Sequence, residues 1–304
     1  MTPFRLHILG CGSALPTFRH NTTSQIVEVR GKMFMVDCGE GTQVRLRRTH
    51  IRFTQLTAVF ISHIHGDHCF GLIGLISTFG MLGRTAPLHI YAPELLGPML
   101  RAQIGLFCTG LGYAVEFHPI DTAVAETVYE DRSVSVQTIP LDHRVPCCGF
   151  LFREKPGLPH IRRDMLDFYN IPLSQVGNIK NGASWTTPDG QAIANERLTR
   201  PADAPRTYAY CSDTRYMPRL HERIAGADLL YHEATYATAD KSRARLYYHS
   251  TAGEAAKVAR DAGVKHLLLG HFSSRYADEQ VLLQEAQAIF PCTQLADEGM
   301  VVDI

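Results

Sequence analysis

Residues 57–68 read Thr57-Ala58-Val59-Phe60-Ile61-Ser62-His63-Ile64-His65-Gly66-Asp67-His68. The first six are rich in β-branched and aromatic side chains and too few for a helix. They read as a strand that delivers the chain straight into the histidines. Three imidazoles and a carboxylate within six residues match the ligand inventory of a borderline metal such as zinc. Side chains two apart on an extended chain point the same way, so His63 and His65 can hold one ion. Gly66 permits a sharp turn, which aims Asp67 and His68 at a second. A polar loop with incidental histidines is the bland alternative, and the H-x-H-x-D-H spacing after a strand argues against it.

Six residues cannot complete two coordination shells, so further ligands must come from other strand ends. His143 follows a strand-like run at 133–139 and precedes Pro146. Asp213 follows Tyr208-Ala209-Tyr210-Cys211-Ser212, and His271 follows Leu267-Leu268-Leu269-Gly270. Each alone reads more readily as a satisfied core histidine or a helix-capping aspartate than as a ligand. Three such residues at strand ends, beside a metal-type cluster, point to a shared site.

Outward from these positions the chain alternates strands and helices. Phe4 to Gly10 reads as a first strand, and Ser24–Val29 and Lys32–Asp37 flank Arg30-Gly31 as a hairpin. Other strand-like runs fall at 87–91, 113–118, 149–153, 207–212, 227–232, 265–271 and 300–304. The clearest helix is 251–262, where Thr251 and Glu254 form a capping box and Gly263 ends the run. Strands dominate early and βα units late, which predicts sheets covered by helices on their outer faces. From Glu154 to about Pro205 the apolar period is lost and Pro, Gly, Asn and Asp accumulate. So long an irregular stretch is a functional or mobile insertion, not an interdomain linker.

Apolar residues make up 45% and charged residues 20% of the 304, an ordinary composition for a water-soluble globular protein. Net charge is zero, so any nucleic-acid partner must meet locally concentrated positive charge. The N-terminal residues lack a secretory pattern, and the longest apolar stretch, Cys69 to Gly83, is too short and glycine-rich for a membrane span. Eight scattered cysteines without a CxxC pair suit reduced thiols in the cytoplasm.

The sequence resembles the metallo-β-lactamase superfamily and, within it, the ribonuclease Z family. The stretches that carry the likeness are Leu9–Pro16, Asp37–Gln43, the 63–68 cluster, Tyr210–Thr214, His232-Glu233-Ala234-Thr235, His249-Ser250-Thr251 and His271–Tyr276. The 63–68 cluster marks only the superfamily; the later motifs single out ribonuclease Z. The resemblance implies an α/β (α+β) fold, a four-layer αβ/βα sandwich of two sheets flanked by helices, as one domain over 1–304 with an inserted flexible arm at about 154–200. It implies two zinc ions per subunit, the first on His63, His65 and His143, the second on Asp67, His68 and His271, with Asp213 bridging. The substrate would be precursor tRNA, cut by phosphodiester hydrolysis to release the 3′ trailer and leave a 3′-hydroxyl, in a cytoplasmic homodimer with no membrane association. Asp67 would serve as general base as well as ligand, and His249, oriented by Glu233, would protonate the leaving oxygen.

The arm carries Arg153, Lys155, Arg162, Arg163 and Lys180, a patch suited to phosphates far from the cut. Arg45, Arg47, Arg48 and Arg52 form a second basic run, read first as a surface helix face. His232 is expected to pack near the site without binding metal, and Ser273 and Arg275 to lie within reach of phosphate. The loop Pro16-Thr17-Phe18-Arg19-His20-Asn21 carries Phe18 and His20 where the family's common P-x-K-x-R-N form has Lys and Arg. A hydrolase of small phosphodiesters or sulfate esters on the same fold is the alternative, and it leaves the basic arm without a task.

Overall fold

A computed structural model describes residues 3–49 and 51–304, with the Phe53 side chain excluded. The chain forms two compact units, one of residues 154–205 and one of the remainder.

In the larger unit the strands run β1 (Phe4–Gly10), β2 (Ser24–Val29), β3 (Lys32–Cys38), β4 (Leu56–Phe60), β5 (Leu88–Pro93), β6 (Val115–Ile120), β7 (Thr127–Glu130), β8 (Val134–Pro140) and β9 (Cys148–Glu154). The smaller unit holds β10 (His160–Ile161), β11 (Trp185–Thr186), β12 (Ala192–Ile193) and β13 (Thr199–Arg200). The chain then returns through β14 (Thr207–Cys211), β15 (Leu229–Glu233), β16 (His266–Gly270), β17 (Thr293–Leu295) and β18 (Val301–Asp303). Two seven-stranded sheets result, ordered β18-β1-β2-β3-β4-β5-β6 and β17-β16-β15-β14-β9-β8-β7.

Alternation of side chains explains the layering. In β3, Phe34 and Val36 join the core shared with the second sheet, while Met33 and Met35 join the core under the outer helices. Phe34 and Phe60 meet Phe150 and Phe152 of β9 at ring centroids 5.4–6.0 Å apart, so the sheets pack face to face. β3 through β6 are parallel, as are β14 through β17. The inner strands among them, covered on both faces, read as largely apolar runs such as Leu267-Leu268-Leu269, whereas β6 and β17 at the sheet edges do not.

The hairpin expected around Arg30-Gly31 forms with both residues at positive φ, 48° and 80°, the twist that favours a tight two-residue turn. The capping box at Thr251 and Glu254 is present, the helix runs Ala252–Ala262, and Gly263 closes it in the left-handed region. The apolar stretch after the histidines is the packed helix Leu72–Met81. Among the described residues no helix is long and apolar enough to cross a membrane. All eight cysteines are free, seven of them buried, and Cys292 is exposed.

The 154–205 segment differs from a structureless loop. Leu166, Ile171, Ile179, Ile193 and Leu198 form a small core of their own, with Trp185 and Met165 packed against it. Its elements are too short, and its apolar residues too widely spaced, to give a periodic signal.

Candidate metal centre

Past β4 the backbone stays extended as far as His65 (φ −72°, ψ 149°) and then coils into the short helix Gly66–Cys69. His63 Nε2 and His65 Nδ1 lie 3.0 Å apart, as their two-residue spacing predicts. The backbone at Gly66 is not left-handed; a Cβ there would sit 2.3 Å from the exposed Phe70 ring, which would have to swing aside. Gly71 and Gly39 seat this helix, since a Cβ on Gly71 would fall 2.0 Å from the Gly39 carbonyl oxygen.

The other strand ends complete two clusters. His143, in the β8–β9 loop, brings Nε2 to 3.2 Å from His65 Nδ1. Asp213, just past β14, places Oδ2 3.7 Å from His63 Nε2 and 3.6 Å from His143 Nε2. Its Oδ1 lies 3.3 Å from His68 Nε2 and 3.0 Å from His271 Nε2. Asp67 Oδ2 stands 3.4 Å from His68 Nε2 and 3.6 Å from His271 Nε2. Thus His63, His65, His143 and Asp213 share one pocket, Asp67, His68 and His271 the next, and Asp213 turns one oxygen to each.

These donors fit a pair of cations. His68 Nε2 and His271 Nε2 are buried with no hydrogen-bond partner, although carboxylate oxygens surround them. Tetrahedral ligands at zinc–nitrogen distances stand about 3.3–3.4 Å from one another, which follows from bonds of about 2.0–2.1 Å. The observed donor separations of 3.0–3.7 Å bracket that edge.

Outer partners fix which nitrogen of each ring faces inward. Ser62 Oγ donates to Asp37 Oδ2 and accepts from His63 Nδ1 at 3.0 Å. His68 Nδ1 donates to Asp37 at 2.8 Å, His143 Nδ1 to the Tyr248 carbonyl at 3.1 Å, and His271 Nδ1 to Thr235 Oγ1 at 3.0 Å. Each arrangement leaves a lone pair aimed at the pocket. Asp37 also accepts from the Ser62 N–H and the Tyr210 hydroxyl, so a fully buried carboxylate is saturated by donors. No pattern in the sequence assigns a role to Asp37, Ser62, Thr235, Tyr210 or Tyr248. Asp37, Tyr210 and Thr235 fall within the stretches that carry the family likeness, and that is their only signal.

Electrostatics follow the same geometry. Burial drives the His63, His65 and His143 imidazoles below their ordinary pKa, toward the neutral form that coordinates metal. Burial also opposes charge on Asp213, yet His271, His68 and His63 outweigh it and hold that carboxyl well below the usual range. Asp67 is depressed likewise, its burial overcome by His68 and His271. His68 itself is raised, because Asp213, Asp67 and Asp37 overcome its desolvation.

The backbone is strained where the site is built. Asp37, Asp213, Tyr248 and His271 all have φ between 56° and 61°, a region costly for residues with a Cβ. Ala14, also at positive φ (53°), donates its N–H to Asp67 Oδ2 at 2.8 Å.

Beside the clusters Glu233 gathers four donors: Thr214 N–H (2.6 Å), Thr235 hydroxyl (2.6 Å), Ser250 N–H (3.1 Å) and His249 Nδ1 (3.0 Å). Burial works against a charged His249, but the Glu233 carboxylate prevails and pushes the imidazole up to about 9. His249 stands 5.3 Å from the His143 ring and 5.5 Å from the His271 ring. His232 is turned away, hydrogen-bonded to the Glu233 carbonyl at 2.8 Å and outside both clusters. Arg275 is exposed and sits over the Tyr236 ring, while Arg45, Arg47 and Arg48 occupy the last turn of the helix Thr42–Arg48.

Of two cavities, one reaches the centre. It measures about 390 Å³ and is walled by Ala14, His65, Asp67, Phe70 and Arg144. The other, of about 260 Å³, lies between the 15–20 loop and residues 272–279. In that loop Phe18 is fully exposed, while His20 is buried and bridges Glu298 (3.0 Å) and Glu279 (3.4 Å).

Relatives place this architecture. A ribonuclease Z of Bacteroides fragilis strain YCH46 is 57% identical over 304 residues, the whole of both chains. The chain belongs to the ribonuclease Z family. A ribonuclease Z of Porphyromonas gingivalis strain W83 is 50% identical, again over the full length of both. Family models match in two pieces, one described as anti-Pycsar protein Apyc1 over residues 4–155 and one as a beta-lactamase superfamily domain over 197–272. The fold itself is shared with human tRNase Z, short form, at TM-score 0.70 and 24% identity over 98% of each chain. It is shared too with the metallo-beta-lactamase fold protein YhfI of Bacillus subtilis, at TM-score 0.68 and 19% identity over 99% of this chain and all of that one. As a ribonuclease Z family member, the chain is a metal-dependent endoribonuclease on the metallo-β-lactamase fold.

Proposed function

We propose that the chain removes the 3′ trailer of precursor tRNA by hydrolysing one phosphodiester bond, leaving a 3′-hydroxyl on the tRNA. The observation that carries this reading is 57% identity to a ribonuclease Z over the full length of both chains, joined to two donor clusters between which Asp213 lies. His63, His65 and His143 would hold one zinc ion, and Asp67, His68 and His271 the other, with Asp213 between. Bound zinc would supply an acidified water near neutral pH and offset charge on the phosphoryl oxygens.

The chain's own groups do the rest. Asp67 borders the larger cavity and acts as proton acceptor as well as ligand. Its basicity is suppressed by a charged His68, and a neutral His68, the coordinating form, relieves that pull. His249 remains protonated near neutral pH because Glu233 stabilises the imidazolium, so it can give the leaving 3′-oxygen its proton. Glu233 is a positioning residue: its four donors lock the carboxylate, and the carboxylate locks His249 Nδ1.

Arg162, Arg163 and Lys180 on the 154–205 unit suit it to hold tRNA phosphates. The same reading makes the protein a cytoplasmic homodimer in which one arm reaches the partner's substrate. Incubation with a precursor tRNA, followed by sequencing of both products, tests the proposal. A single cut after the discriminator base supports it. Hydrolysis of bis-p-nitrophenyl phosphate without any cut in the RNA would instead favour a small-phosphodiester hydrolase.

A further inference from the structure

A second group of metal-type ligands lies away from this centre, on the edge of the first sheet. β5 and β6 are parallel neighbours, with His89 beside Glu116 and Tyr91 beside His118 in register. In β5, Leu88, Ile90 and Ala92 join the core under the outer helices, whereas Tyr91 packs into the core between the sheets. Alternation therefore sends His89 to the same face as Tyr91. There His89 Nδ1 lies 3.1 Å from His118 Nε2 and 3.3 Å from Glu116 Oε2. The three donor atoms all fall within 4.8 Å of one another. The His118 ring is stacked on Tyr91 (4.5 Å, 13°), and Tyr91 is stacked in turn on Phe60 (4.9 Å, 16°). That column fixes the imidazole before any ligand arrives.

We infer that His89, Glu116 and His118 form a separate mononuclear site for a borderline divalent cation of the zinc class. Two imidazoles and one carboxylate on a shared face are a common ligand set for such ions. The His89 and Glu116 side chains are 32% and 47% exposed, which leaves room for water to complete the shell. Coordination needs only a shift of the proton from the inward to the outward nitrogen of a ring. The ion would add a side-chain tie between β5 and β6, the outermost strand of its sheet, to the backbone ladder that already joins them. The ordinary alternative is a hydrogen-bonded His–His–Glu triad that binds no metal.

Metal counting separates the two. The zinc-loaded wild type and an H89Q/H118Q double variant would be dialysed to equilibrium against micromolar zinc, and metal per chain measured. The double variant should carry one ion fewer and hydrolyse bis-p-nitrophenyl phosphate at the wild-type rate. E116Q, a milder change that keeps both rings, should weaken uptake of that ion by at least about tenfold, the lower bound for losing even an outer-shell partner. Wild type alone should also gain melting temperature as zinc is added beyond its resident metal. Equal metal counts in all three proteins, or extra uptake only at millimolar zinc, would overturn the inference. The comparison reads a difference between variants, so it stands whatever the main centre hydrolyses.

Discussion

The unit of design here is an imidazole held by its outer nitrogen. His68 shows it most plainly: Asp37 takes the Nδ1 proton at 2.8 Å, and Nε2 is left buried and unpaired. Asp37→Asn should therefore weaken metal binding by about 10–100-fold, the usual effect of losing such a partner, as read by competition with a chromophoric chelator. An unchanged affinity would mean that Asp37 serves only the fold. Glu233 does for His249 what Asp37 does for His68, with a different consequence. Its charge raises the His249 pKa, so the imidazolium persists into mildly alkaline solution. Glu233→Gln removes that charge, lowers the pKa, and should move the alkaline limb of the pH–rate profile to lower pH. A uniform loss of rate with an unmoved limb would contradict the pairing. The ligands themselves were legible in the sequence because they crowd into 63–68 or follow strands directly. Asp37 was not legible as a partner: Ser62, His68 and Tyr210 lie 25, 31 and 173 positions away, and only the fold joins them.

Elements matter here through their ends. The donors gather just past the ends of β4, β8, β14 and β16; of these, β4, β14 and β16 are apolar runs that stop where polar side chains begin, while β8 alternates. Such strands, the Arg30-Gly31 hairpin and the Thr251 capping box are local patterns and can be read directly. β7 and β17 are four and three residues long and carry no alternating pattern, so only their neighbours define them. The small core of 154–205 leaves no periodic signal for a similar reason: five aliphatic residues are spread over 33 positions, Leu166 to Leu198. Close packing between elements is equally invisible to periodicity. Gly71→Ala would drive a methyl to 2.0 Å from the Gly39 carbonyl and force the Gly66–Cys69 helix to move. It should destabilise the protein by at least about 1–3 kcal/mol, visible as a lower melting temperature, with weakened metal binding alongside. A variant as stable as wild type would show that the loop under the helix yields easily.

For the molecule as a whole, a neutral net charge leaves recognition of RNA to local features, and the segment 154–205 is the one with a core of its own. Replacing residues 156–200 by a short Gly-Ser linker should weaken binding of precursor tRNA several-fold or more while leaving bis-p-nitrophenyl phosphate hydrolysis near the wild-type rate. Equal loss on both substrates would assign the segment to folding of the catalytic unit. The deepest dependence is on seven side chains, from 63 to 271 in the chain, meeting around two cations. Anomalous diffraction at the zinc edge, on crystals of the purified protein, tests this most directly. Two strong peaks are expected on either side of Asp213, one within bonding distance of His63, His65 and His143, the other of Asp67, His68 and His271. A single peak, or none at these residues in zinc-saturated protein, would contradict the account.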